Sequence, residues 1–123
     1  MRIHESAEDY LEQILIQEEF RGYARSIDIA TALNFSKPSV SIAMKNLREN
    51  GYITMDASSR ILLTQRGRDV AEPIYNRHRK ITSFLVSIGV QEETAMKDAC
   101  KMEHDLSEET FQAICRMLEE KSN

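Results

Sequence analysis

The sequence predicts a mainly α-helical protein, in which a winged helix-turn-helix is followed by a purely helical region. Two observations predict this fold class. Apolar residues recur at helical spacing along most of the 123 residues. Strand-like residues are confined to one short stretch near the middle of the chain, and turn-forming residues interrupt that stretch.

The helices before that stretch are joined by tight turns. Ser6–Phe20 and Ile27–Leu33 carry apolar stripes typical of helices, and Asn34 tolerates the left-handed backbone of a tight turn. We expect Ser36 to cap the next helix, with Pro38 in its first turn, where a missing N–H is harmless. This pattern is typical of a helix-turn-helix, although a plain helical hairpin shares it.

The strand-like stretch favours the helix-turn-helix. Tyr52–Met55 and Arg60–Leu63 are strand-like, and the turn residues Asp56–Ser59 lie between them. A β-hairpin directly after the second helix is the wing of a winged helix, a fold that binds DNA. We therefore expect the exposed face of that helix and the wing to contact DNA, through Ser36, Lys37, Pro38, Ser39, Ser41, Ile42, Lys45 and Arg60.

The distribution of charge agrees with this expectation, although the net charge is −4. The segment Gly22–Arg68 holds seven Lys or Arg and three Asp or Glu, so it carries +4 and the remainder of the chain carries −8. A basic segment between acidic flanks is expected when one region meets phosphates and another meets cations.

The second half of the chain is predicted to be helical throughout. Thr64–Ser87 has the pattern of one long helix, which Pro73 should kink or split. Glu92–Leu106 and a last helix capped by Ser107 follow it. We place the boundary between the winged-helix domain and the helical domain after residue 72, so the two span residues 1–72 and 73–123.

The helix Glu92–Leu106 carries a cluster of potential metal ligands. Cys100, Glu103 and His104 stand at i, i+3 and i+4 and project from one side, and Met96 shares the stripe of Cys100 and Glu103. An unpaired carboxylate on an apolar stripe costs several kcal/mol, against a total stability of about 5–15 kcal/mol. A thiol, a carboxylate and an imidazole that converge on one point indicate a divalent transition metal.

Other residues extend this cluster. Taken alone, an inward-facing histidine is usually a hydrogen-bonded core residue, and an acidic pair at a helix start is usually solvated. His78 and the acidic pair Asp9 and Glu12 join the cluster on the helix Glu92–Leu106. The result is six candidate ligands on three helices: Asp9, Glu12, His78, Cys100, Glu103 and His104. Carboxylates with imidazole suit Mn²⁺ and Fe²⁺, and a thiolate shifts the preference toward Fe²⁺, Co²⁺ and Zn²⁺.

Two alternatives compete with a metal-dependent DNA-binding protein. One is a winged-helix transcription factor that senses a signal other than metal, and metal-dependent DNA binding distinguishes it. The other is a di-metal enzyme, which needs paired Glu-x-x-His motifs that this chain lacks. The chain also has only four glycines and no Gly-rich phosphate loop, so we expect no enzymatic activity.

The composition predicts a cytoplasmic protein. No apolar run approaches the length of a membrane span, and acidic residues within Met1–Arg25 are unlike a signal peptide. The two cysteines, Cys100 and Cys115, form no CxxC pair, so reduced thiols are expected.

The chain resembles the diphtheria toxin repressor and manganese transport regulator family from about Ser6 to Leu118. The stretches that carry the resemblance are Ser6–Glu12, Gly22–Ala30, Ser36–Ser41, Leu63–Gly67, Arg77–His78 and Glu103–His104. The resemblance implies a homodimeric, metal-activated repressor of metal-uptake genes that binds an operator DNA. It also implies that the six candidate ligands hold the metal and that the last helices form the dimer.

The chain departs from the family pattern at the ligands. Manganese-type members carry glutamate where Cys100 stands, and iron-type members carry methionine where Asp9 stands, so this chain mixes the two sets. The resemblance therefore implies Mn²⁺ or Fe²⁺, with Zn²⁺ and Co²⁺ as further candidates. Iron-type members also carry glutamine where Ile42 stands, so their operator does not carry over. As in the short manganese-type members, we expect no SH3-like third domain.

Overall fold

The computed structural model describes the backbone of residues 5–122 and the side chains of residues 7–120. Within these residues the chain forms six helices and one two-stranded sheet, which confirms the predicted mainly α-helical class. No described helix is long and apolar enough to span a membrane. The elements are α1 (Glu5–Arg21), α2 (Ser26–Leu33), α3 (Lys37–Glu49), β1 (Ile53–Met55), β2 (Ile61–Leu63), α4 (Gln65–Ser87), α5 (Glu92–Asp105) and α6 (Glu108–Ser122).

The chain divides into two compact units, and the division falls after Pro73. The first unit contains α1 to β2 and the start of α4, and the second contains the rest of α4 with α5 and α6. Pro73 was expected to kink or split this helix, but the helix is not split, because it runs without interruption from Gln65 to Ser87. Proline removes one backbone hydrogen bond, and the bonds on either side keep the helix continuous.

Local capping sets the helix-turn-helix of the first unit. Asn34 ends α2 in the left-handed conformation, with φ of 57°. The Ser36 hydroxyl then accepts a hydrogen bond from the Ser39 backbone N–H at 3.3 Å and caps α3, as the sequence predicted. The buried side chains that hold the three helices and the sheet together are Leu11, Ile14, Leu15, Ile29, Val40, Met44, Ile53 and Ile61.

The wing is an antiparallel hairpin in which Ile53 pairs with Leu63 and Met55 with Ile61. Each strand is one residue shorter than predicted, because Tyr52 lies before β1 and Arg60 belongs to the turn that connects the strands. The Asp56 carboxylate shapes that turn by accepting hydrogen bonds from the backbone N–H groups of Ser58 at 2.8 Å and Arg60 at 3.0 Å.

The second unit has a small apolar core between its three helices. Its members are Ile81, Ala99 and Phe111, together with Leu85, Met102, Leu106 and Cys115. The prediction that Met96 shares a buried stripe with Glu103 is wrong, because Met96 is 47% exposed. The buried stripe of α5 is instead Ala95, Ala99 and Glu103, one i, i+4, i+8 row, since the small alanines let α5 pack closely.

Candidate metal centre and nucleic-acid interface

A buried histidine and a buried glutamate face each other in the second unit. His78 on α4 is 7% exposed and Glu103 on α5 is 6% exposed. The Nδ1 atom of His78 lies 3.1 Å from the Oε2 atom of Glu103. Both side chains lie beside the apolar core, where an ionised carboxylate is stable only with a partner of positive charge.

The thiol of Cys100 approaches the same histidine nitrogen. Its Sγ atom lies 3.8 Å from Nδ1 of His78, although Cys100 as a residue is exposed. One ligand atom each from His78, Cys100 and Glu103 lies within 4.8 Å of the others. Metal–ligand distances of about 2.0–2.3 Å place neighbouring ligand atoms roughly 3–4 Å apart, so this spacing suits a bound transition metal.

His104 brings a second imidazole to the other oxygen of Glu103. Its Nε2 atom lies 3.6 Å from Oε1 of Glu103. That oxygen is buried and accepts no hydrogen bond from the described residues. A buried carboxylate oxygen without a hydrogen bond is costly. Imidazole, thiol and carboxylate donors are ligands that divalent transition metals accept, so the residues present fit a metal.

The cluster alters the protonation of His78. Hydrogen bonds that the imidazole donates to Cys100 and, next in size, to Glu103 raise the pKa of His78 from 6.5 to about 10, against the opposing effect of burial. Without a metal, the imidazolium therefore supplies the positive charge that the buried carboxylate needs.

The other two predicted ligands lie in the first unit, on α1. Glu12 is 5% exposed and Asp9 is half-buried, and the two residues are separated by three positions along the helix. The structure thus gathers His78, Cys100, Glu103 and His104 within the second unit. A shared role for Asp9 and Glu12 with those four residues stays a prediction.

All eight residues predicted to contact DNA are exposed. Seven of them belong to α3 and its cap, where Ile42 keeps 63% of its surface in contact with solvent. The eighth, Arg60, lies in the turn of the wing. A large exposed isoleucine among small polar and basic side chains is a surface suited to reading base edges, since apolar groups contact thymine methyls.

An open groove of about 660 Å³ lies beside this face, between α2, α3 and the wing. Arg25, Lys45 and Arg48 give it positive charge, and Ser58 and Ser59 line it from the wing. None of the described residues that line it is acidic. Sequence reasoning counted Arg25 and Arg48 in the basic segment but did not assign them to DNA, because residues far apart in sequence meet here only after folding.

The fold and the clustered ligands define a class of protein. A winged helix with a basic exposed face, joined in one chain to a helical unit that gathers imidazole, thiol and carboxylate groups, is the architecture of a metal-dependent DNA-binding regulator of transcription.

Two family profiles match the chain and together cover nearly all of it. Residues 2–59 match the N-terminal DNA-binding domain of iron-dependent repressors. Residues 64–122 match the metal-binding and dimerisation domain of the same family. The chain belongs to the iron-dependent repressor family. This membership confirms the predicted function class, with divalent metal, DNA and a second copy of the chain as its partners.

Relatives named as transcriptional regulators agree with this assignment. The chain is 39% identical over 102 residues to an HTH-type transcriptional regulator MntR of Geobacillus kaustophilus, covering 83% of this chain and 72% of that one. It is also 39% identical over 112 residues to a transcriptional regulator MntR of Escherichia coli, covering 89% of this chain and 71% of that one.

Solved structures show the same architecture. The IdeR of T. acidophilum has a TM-score of 0.81 at 28% identity, over 96% of this chain and 55% of that chain. The manganese regulator SloR has a TM-score of 0.74 at 27% identity, over 92% of this chain and 53% of that chain. The chain therefore spans about half the length of these two structures.

Proposed function

We propose that this protein represses genes for metal uptake by binding their operators when it holds Mn²⁺ or Fe²⁺. The observation that carries the proposal is the buried Glu103 carboxylate, whose two oxygens face His78 and His104 at 3.1 Å and 3.6 Å. A bound cation would compensate its charge. The relatives named manganese regulators support Mn²⁺, and the Cys100 thiol favours Fe²⁺, with Zn²⁺ and Co²⁺ as softer alternatives.

We propose that each domain has one part in this activity. Residues 1–72 would bind DNA, and residues 73–123 would bind metal and form the dimer. Asp9 and Glu12 would complete the ligand set of His78, Cys100, Glu103 and His104, so that one ion links the DNA-binding domain to the dimerisation domain. Metal would then stabilise the arrangement in which two recognition helices fit successive major grooves, roughly 34 Å apart. By linkage, DNA would tighten metal binding by the same factor.

We propose further that the protein acts by binding alone, without catalysis, in the cytoplasm. The relatives it matches are transcriptional regulators, and a DNA-binding protein must reach the chromosome. The free thiols of Cys100 and Cys115 are compatible with a reducing compartment.

Metal-dependent DNA binding tests the proposal. Protein stripped of metal should show no selective binding to a random-sequence duplex library, whereas Mn²⁺ or Fe²⁺ should allow repeated selection of one operator sequence. Titrations of that operator with Mn²⁺, Fe²⁺, Zn²⁺ and Co²⁺ then rank the ions.

A pair of variants ties the response to the site. Glu103→Gln keeps the shape of the side chain and removes its charge, so metal should no longer increase operator affinity. Glu109→Gln changes an exposed carboxylate of α6 and should respond to metal like the wild type. Equal operator affinity of the wild type with metal and with a chelator would favour the alternative, a winged-helix regulator that senses a different signal.

A further inference from the structure

Tyr23 lies at the centre of a cluster of arginines in the first unit. The guanidinium groups of Arg60, Arg25 and Arg21 lie 4.6 Å, 5.2 Å and 6.0 Å from the centre of its ring. Contacts at these distances are attractive, because each cation meets the negative potential of the aromatic ring. One half-buried tyrosine therefore holds arginines from separate segments of the chain.

The backbone fixes the position of this cluster. Ala24 and Ile61 form an antiparallel bridge, in which the Ala24 N–H donates to the Ile61 carbonyl at 2.9 Å and the Ile61 N–H donates back at 2.8 Å. Because the bridge is antiparallel, Arg25 lies opposite Arg60 and Tyr23 lies opposite Leu62, and the side chains of Tyr23, Arg25 and Arg60 share one face. Arg60, the last residue of the turn between β1 and β2, is thus held next to the segment that carries Tyr23 and Arg25.

The three arginines differ in how their charge is compensated. Arg21 forms an ion pair with Asp28 at 3.1 Å. Neither Arg25 nor Arg60 forms an ion pair with any described residue. Two uncompensated guanidinium groups on one ring repel each other, and an anion between them would remove that repulsion.

The groove described above begins at this cluster. Arg25 both contacts Tyr23 and lines the groove, which continues past Lys45 and Arg48 of α3 to the serines of the wing turn. A DNA strand carries one phosphate for about every 3.4 Å of helix axis. The arrangement of these cations suits a strand of DNA that runs along the edge of the major groove.

We propose that Tyr23 is a positioning residue, which holds Arg25 and Arg60 as a pair that binds phosphates of the DNA backbone at this groove. The inference rests on the proposed binding of DNA. It identifies the residues that bind the DNA backbone whatever the base sequence. Arg21 has no part in it, because Asp28 already compensates its charge.

The salt dependence of binding to a labelled duplex of random sequence tests this inference. Fluorescence anisotropy in saturating Mn²⁺, at about 50 to 200 mM KCl, gives the slope of log affinity against log salt. Arg25→Ala and Arg60→Ala should each lower the slope by about one. Arg21→Ala is the matched control, and it should keep the wild-type slope.

Variants of Tyr23 test the positioning role itself. Tyr23→Leu should lower the slope by about one to two and weaken affinity by roughly five- to tenfold for each phosphate contact that is lost. Tyr23→Phe retains the aromatic ring, so its salt slope and affinity should be close to those of the wild type. The double variant Tyr23→Leu/Arg60→Ala should lose less affinity than the sum of the two single losses in free energy, because both changes remove the same contact.

Three results would contradict the positioning role of Tyr23 or the proposed binding of DNA. A folded Tyr23→Leu variant with the wild-type slope and affinity overturns the inference. If Tyr23→Leu fails to fold by circular dichroism, equal slope changes in Arg21→Ala, Arg25→Ala and Arg60→Ala overturn it instead. A wild-type protein that binds no duplex in Mn²⁺ contradicts the proposed function, and the inference falls with it.

Discussion

At the scale of single residues, Glu103 and Cys100 illustrate how the environment decides the role of a side chain. They lie three positions apart on α5, yet Glu103 is buried and Cys100 is exposed with only its thiol directed toward His78. A hard carboxylate and a soft thiol near one imidazole give a site whose preference among metals depends on which of them ligates.

Cobalt substitution should show whether Cys100 ligates. Because a thiolate bound to Co²⁺ absorbs strongly in the near ultraviolet, we expect this charge-transfer band in the wild type and not in Cys100→Ser. Cys115→Ser is the matched control and should retain the band, since Cys115 belongs to the apolar core of the second unit. Tight Co²⁺ binding by the wild type without the band would leave Cys100 as a packing residue and favour Mn²⁺.

Gly67 is a residue at which any side chain should be harmful. A Cβ atom built on it would lie 2.1 Å from the carbonyl oxygen of Tyr52, which belongs to the backbone and cannot turn away. Alanine usually stabilises a helix relative to glycine by roughly 0.5–1 kcal/mol, but here overpacking should destabilise the protein by about 1–3 kcal/mol. Urea unfolding measures the difference, and Asp69→Ala, an exposed position in the same helix, is the control. A Gly67→Ala variant of unchanged stability would show that α4 shifts away from Tyr52 at little cost.

At the scale of elements, Arg77 connects the three helices of the second unit. Arg77 directly precedes the predicted metal ligand His78 on α4, so the two side chains leave the helix about 100° apart. The Nη2 group of Arg77 donates to the Leu106 carbonyl at the end of α5, at 2.5 Å. Its Nη1 group lies 3.4 Å from the Glu108 carboxylate of α6, and its guanidinium lies 4.7 Å from the centre of the Phe111 ring.

Removing the clamp should destabilise the protein. Arg77→Met keeps much of the apolar stem and loses the bond to a partly buried carbonyl, so we expect a loss of about 1–3 kcal/mol in the free energy of unfolding. Glu108→Gln should change it by less than about 1 kcal/mol, because the Glu108 side chain is 69% exposed and surface ion pairs contribute little. Chemical denaturation measures both, and equal effects of the two substitutions would argue against the carbonyl contact as the main contribution.

At the scale of the whole molecule, the second unit leaves large apolar side chains in contact with solvent. Val86, Ile88, Met96 and Met117 are 43%, 54%, 47% and 44% exposed. They lie on or beside the three helices whose family profile is named for metal binding and dimerisation. Burial of such side chains against a second copy stabilises a dimer by roughly 25 cal/mol for each Å² removed from water.

Sedimentation should therefore give about twice the chain mass of 14.2 kDa at micromolar concentration. Ile88→Asp places a charge on this surface and should shift the protein toward the monomer. Phe20→Asp is the matched control, since Phe20 is 87% exposed in the first unit and should leave the dimer intact. A monomeric wild type, with and without metal, would contradict the predicted dimer.

The sequence by itself determined the features that depend on neighbours along the chain. The cap of Ser36 on α3, the left-handed turn at Asn34 and the extent of the helices follow from residue types only a few positions apart. The i, i+3, i+4 spacing of Cys100, Glu103 and His104 likewise sets one side of a helix before any packing occurs.

Only the tertiary structure decided what depends on contacts between distant segments. Local periodicity gives a helix face but not the rotation at which it packs, so α5 buries Ala95 and Ala99 and leaves Met96 exposed. The contact of Arg60 with Tyr23 joins residues 37 positions apart in sequence, and the approach of Gly67 to Tyr52 depends on how α4 leaves the wing. Such contacts arise from the fit of whole elements against one another, which no short stretch of sequence encodes.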